Sequence, residues 1–148
     1  MKKLILSVIT VLMFSFSAFS NPEKGTDNSK VLLKQAKIAV DFLQKELKLK
    51  DKDSKLKELT KVYMAYAKNL IAIEQKLAYK NKAAKGDKNT MMQNKKAKFS
   101  MMTEAANERD KKISKFLSKK QLEKYRSVSK SIHPFTLKIK EVKKKKTK

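Results

Sequence analysis

Three kinds of side chain in this sequence could carry chemistry: a single histidine, a scatter of carboxylates and two methionine pairs. His133 is the only histidine and is followed directly by Pro134, which suits a helix end better than a general acid or base. Glu104, Glu108 and Asp110 lie among lysines, where surface ion pairs are their ordinary use. Cysteine is absent and no glycine-rich loop occurs, which excludes thiol nucleophiles and phosphate cradles. The chain therefore reads as a non-enzyme with no cofactor. Met91-Met92 and Met101-Met102 are thioethers of the kind that hold Cu(I), but ten residues of helix would set them ~15 Å apart. Sharing one ion would need a further methionine, and Met64 is the only other one beyond residue 20. Adaptable apolar contact is the better use of such side chains, so no metal site is expected. Met64, Met91, Met92, Met101, Met102 and Phe99 become the candidate surface for a client polypeptide.

The setting of these residues is strongly cationic. The formal net charge is +24, and the bases are lysines except for Arg109 and Arg126. Sequence-specific base readout leans on bidentate guanidinium contacts that a lysine point charge cannot copy, so no specific nucleic-acid partner is expected. Diffuse attraction to anions remains, together with self-repulsion that favours an elongated shape.

Residues 1–20, MKKLILSVITVLMFSFSAFS, carry Lys2 and Lys3, an apolar stretch from Leu4, and Ala18 and Ser20 at the positions expected before a cut. This is the pattern of a secretory signal peptide cleaved after about Ser20. The apolar run is too short and too serine-rich to span a bilayer, so no membrane span is expected after cleavage. Export would leave residues 21–148 with a net charge of +22, the +24 of the whole less Lys2 and Lys3. An exported chain without cysteine has no disulfide to hold it.

The elements that must position the candidates are helical. Residues 21–29 are turn-rich, with Asp27 or Ser29 available as a cap. From about Lys30 to Lys48, Leu32, Ala36, Ala39, Phe42, Leu43 and Leu47 recur at helical spacing. Asp51 or Asp53 can cap a second helix whose stripe is Leu56, Leu59, Tyr63, Tyr66, Leu70, Ile73 and Leu77. Gly86-Asp87 marks a reversal, with Asn89 or Thr90 as the next cap. A third helix over about Met91 to Phe116 directs Met92, Phe99, Met102, Ala106, Ile113 and Phe116 inward. Lys95 and Arg109 interrupt that stripe, which implies narrow packing or snorkelling stems. Ser118, three residues before Gln121, with Leu117 before it and Leu122 after, spells a capping box and a hydrophobic staple. The short helix it opens ends near His133-Pro134. The reading is all-α: four helices as two antiparallel hairpins over 30–133, then an extended arm and a basic, disordered tail over 134–148.

The two helix breaks resemble one another. Leu117-Ser118-Lys119-Lys120-Gln121 and, sixty-eight residues earlier, Leu49-Lys50-Asp51-Lys52-Asp53 each begin with leucine between two helices. With an exported, cysteine-free, all-α chain, they resemble the Spy/CpxP-like family of periplasmic proteins, marked by paired Leu-Thr-x-x-Gln motifs. The second break keeps Leu117 and Gln121 and has Ser118 for threonine. The first keeps Leu49 alone, with Asp51 as a cap shifted by one residue. The resemblance implies a periplasmic location, a thin curved layer of helices, an antiparallel homodimer, ATP-independent holding of unfolded clients, and a part in the envelope stress response. The physical reading meets it on one point: amphipathic helices in one thin layer leave apolar stripes uncovered. The function expected is capture of unfolded or partly folded proteins through methionine and aromatic side chains, with lysines supplying long-range attraction. Binding of an envelope polyanion (lipopolysaccharide, extracellular DNA or acidic polysaccharide) is the alternative.

Overall fold

The computed structural model describes residues 26–140. The signal-peptide reading, most of the 21–29 segment and the 141–148 tail lie outside the described residues. The architecture is all-α, as expected, with four helices: α1 (Thr26–Leu47), α2 (Ser54–Ala83), α3 (Lys88–Ile113) and α4 (Lys119–Val128). A single 3-10 turn over Ser129–Ser131 follows α4. No described helix is long and apolar enough to cross a membrane.

Each chain reversal is set by local chemistry. Leu49 N donates to Gln44 O at 3.0 Å and Lys48 N to Lys45 O at 3.2 Å, the paired bonds of a Schellman motif. Lys48 occupies its left-handed position at φ 53, and Leu49 is buried behind it. Glycine takes that conformation without the Cβ clash that lysine suffers. Lys48→Gly should therefore raise stability by about 0.5–1 kcal/mol and the melting temperature by roughly 2–4 °C. A calorimetric scan showing no rise would contradict this geometry.

The cap of α2 is Asp53, whose carboxylate accepts from Lys55 N at 2.9 Å. The expectation that Asp51 takes that role is corrected: its Oδ1 accepts instead from Gln44 Nε2 at 2.6 Å, tying the loop to the end of α1. At the α2–α3 reversal Gly86 sits at φ 87, a conformation glycine adopts at little cost. Asp87, rather than Asn89 or Thr90, caps α3 by accepting from the amides of both and from the Thr90 hydroxyl. Those bonds hold the Asp87 carboxyl below its ordinary range, the Thr90 contacts contributing most. Asp27 and Ser29 lie inside α1 rather than before it.

Helix α2 is the spine. It packs along α1 on one side and α3 on the other, and α4 closes onto α1. Its stripe from Leu59 to Leu77 is buried as the spacing predicts, with Leu56 at the margin. Ala36, Ala39, Val40, Leu43 and Leu47 of α1 meet it, with Met102, Ala105 and Ile113 of α3 and Tyr125 of α4 completing the core. The first half of α3 departs from expectation, since no residue from Lys88 to Met101 is buried. The end of α2 and the start of α3 thus project past the core as a bare hairpin.

The arm expected to extend from residue 134 instead doubles back over its described part. Ile132 bridges Ile139 in antiparallel fashion, and both Ile132 and Leu137 enter the core. An alternating apolar pattern there serves a closed loop rather than a free strand, because Leu137 finds a fully buried seat on the same chain.

Candidate functional site

The projecting hairpin collects the exposed large apolar side chains of this half of the molecule. Tyr79 is 76% exposed, Phe99 63%, Met92 62% and Met91 43%. Lys76, Lys80, Lys82, Lys85, Lys88, Lys95 and Lys96 are exposed on the same stretch of chain. The two helices are joined here by polar contacts, Asn94 Nδ2 to Asn81 Oδ1 at 2.9 Å and an exposed Lys98–Glu74 pair at 3.0 Å. Such a surface combines soft apolar contact with a positive field.

The six candidate contact residues divide. Met91, Met92 and Phe99 are exposed, Phe99 with its ring also against Phe135. Met64 and Met101 are half-buried against the core. Met102, only 4% exposed, is a core residue and is withdrawn from the candidate surface. Tyr79 was absent from the expected set because it falls off the apolar stripe of α2. That displacement was itself the signal, since an aromatic on a polar face has nothing of its own chain to bury against.

Further down, α2, the end of α3 and the turn after it border an open groove of about 420 Å³. Val62, Ala65 and Phe116 form its apolar floor, with Lys61, Lys112, Lys115 and Glu58 around it. The hairpin tip and this groove both draw on α2 and α3.

The motif residues position these helices rather than contact a ligand. Ser118 caps α4 by accepting from Gln121 N at 3.4 Å, and Gln121 Oε1 accepts in return from Ser118 N at 3.2 Å. The box expected from the sequence is complete, with Leu117 buried and Leu122 half-buried beside it. Gln121 Oε1 also accepts from Lys55 Nζ at 2.9 Å. Because Lys55 follows the Asp53 cap, the two helix breaks are clasped to one another. Leu49 and Leu117 both point into the core. Their caps differ in register: Asp53 lies four residues after its leucine and Ser118 one.

A polar cluster fixes α2, α3 and α4 together. Arg109 does not snorkel; it is 8% exposed, with its guanidinium 4.7 Å from the Tyr66 ring centroid and 5.5 Å from that of Tyr63. Its Nε and Nη2 each donate to Asp110 Oδ1 at 2.8 Å. Tyr125 Oη donates to the same oxygen at 2.6 Å and lies 3.4 Å from Tyr63 Oη. Burial pushes the Tyr63 and Tyr125 hydroxyls above the ordinary tyrosine range and Tyr66 up to about 12. Burial works against the charge on Arg109, but the Asp110 hydrogen bond and the neighbouring tyrosine oxygens outweigh it and hold the guanidinium protonated. The cluster is built to stay in one charge state, which is the behaviour of a structural clamp.

No group of three or more His, Asp or Glu side chains that could hold a metal occurs among the described residues. No family model, curated protein or solved structure matches the chain.

Proposed function

We propose that this protein is an exported, ATP-independent holdase of the Spy/CpxP-like kind, acting in the periplasm under envelope stress and binding unfolded polypeptides at the α2–α3 hairpin. The observation that carries the reading is the exposure of Tyr79, Met91, Met92 and Phe99 along the lysine-rich α2–α3 hairpin. A monomer spends stability on keeping such side chains in water unless something else covers them. A homodimer would cover part of the surface, and client segments the remainder. The protein's role is binding, and the carboxylates beside the lysines tune charge rather than catalyse.

Purified residues 21–148 should suppress aggregation of a reduced, denaturing client at near-stoichiometric ratio. Raising salt should slow capture more than it weakens the finished complex, since charge steers encounter while apolar contact holds. The lysine field alone favours the second reading, an envelope polyanion binder. In that case affinity falls log-linearly with salt and is indifferent to client hydrophobicity.

A further inference from the structure

Beyond α4 the chain closes a loop whose shape depends on one imidazole. Lys140 N donates to Ser131 O at 2.7 Å and His133 N to Lys138 O at 2.8 Å, which shuts the mouth. Inside, His133 Nδ1 accepts from Phe135 N at 3.3 Å and Thr136 N at 3.2 Å. Backbone amides only donate, so Nδ1 must present its lone pair and the ring proton must sit on Nε2. The loop in turn lies on the α2–α3 pair. Tyr66 Oη donates to Pro134 O at 2.6 Å, and the Phe135 ring stands edge-on to Phe99 with centroids 5.6 Å apart. Leu137 is fully buried, yet it is held at φ 57, a conformation leucine resists.

Among the described residues no carboxylate pairs with His133. The loop and the 3-10 turn before it bring Lys130, Lys138 and Lys140. Helix α2 brings the neutral Tyr66 hydroxyl with Arg109 behind its ring, and α3 brings the uncharged Phe99. The chain has one histidine and no cysteine, so among its side chains this imidazole alone combines a free acceptor nitrogen with the capacity to become a cation.

We propose that residues 132–140 form an acid-released strap, closed over the α2–α3 face by the neutral His133 imidazole and opened when Nδ1 takes up a proton. Protonation replaces two accepted hydrogen bonds by two donor-to-donor contacts and adds a cation to a loop already rich in lysine. Release of Pro134 and Phe135 then extends the exposed apolar surface from Phe99 toward Tyr66. The use of that surface for clients rests on the proposed function; the strap motion does not.

The test is hydrogen exchange followed by NMR at the Leu137 amide between pH 7.5 and 5.5, in the wild type and His133→Asn. Asparagine offers the same two amides an uncharged acceptor, so each measurement is normalised to that variant at the same pH. Wild-type protection should fall about tenfold between pH 7.5 and 5.5, while that of His133→Asn stays level. Fluorescence of the neutral dye Nile red should rise with it, and not in His133→Asn. Tyr66→Phe, which keeps the ring but loses the Pro134 bond, should be poorly protected already at pH 7.5. Equal protection in wild type and His133→Asn at both pH values, or unchanged protection in Tyr66→Phe, would overturn the strap. Strap opening with no binding of a reduced, carboxymethylated polypeptide would uphold the strap and overturn the client reading. Binding independent of pH, with the strap closed throughout, would do the reverse.

Discussion

Asp110→Ala is expected to lower the unfolding free energy by about 2–3 kcal/mol, and Arg109→Met by only about 1 kcal/mol. The asymmetry follows from which partner is left behind. Without Asp110, a guanidinium that is 8% exposed keeps only the tyrosine rings as partners, and Tyr125 Oη is left with the longer contact to Tyr63 Oη at 3.4 Å. An uncompensated buried charge costs more, about 3–5 kcal/mol, when both partners are fully enclosed. Here the Asp110 side chain is 48% exposed, so water recovers part of the loss. Without Arg109, that same exposure lets Asp110 remain solvated and bonded to Tyr125, while methionine refills the volume of the arginine stem. Urea unfolding of both variants, with unchanged m-values, measures the difference. An Arg109→Met variant as unstable as Asp110→Ala would show that the tyrosine cage, rather than the carboxylate, is the dominant partner.

What could be read from the sequence was what local rules decide. The α2 stripe from Leu59 to Leu77 is continuous and meets helices on both sides, so periodicity and burial coincide. Ser118 and Gln121 needed only each other to form their box. The errors came where tertiary geometry chose among local options. Asp51 and Asp53 are equal capping candidates by type, and Gln44 reaching back to Asp51 leaves the cap to Asp53. Arg109 looked like an interruption of the α3 stripe, whereas Tyr63, Tyr66, Tyr125 and Asp110, drawn from three helices, make it part of the core. Phe99 and Met102 share the α3 stripe on paper, but the core reaches only the second, because residues 88–101 run past it. The strap depended on Leu137 adopting a positive φ, which no propensity favours.

The hairpin tip is where loss of function should be largest. Replacing Tyr79, Met92 and Phe99 together by serine removes three exposed apolar anchors. At about 1 kcal/mol for each partly exposed side chain, client affinity should weaken roughly a hundredfold. The control is Val31→Ser with Ile38→Ser on α1, a pair also exposed, at 45% and 38%, but far along the chain from the hairpin. The decisive measurement is a titration of a fluorescently labelled, permanently unfolded polypeptide into both variants at physiological salt. The account predicts near-wild-type binding for the α1 pair and a roughly hundredfold loss for the hairpin triple, with the helical circular dichroism of both preserved. Undiminished binding by the hairpin triple would contradict it and leave the lysine field as the only source of attraction.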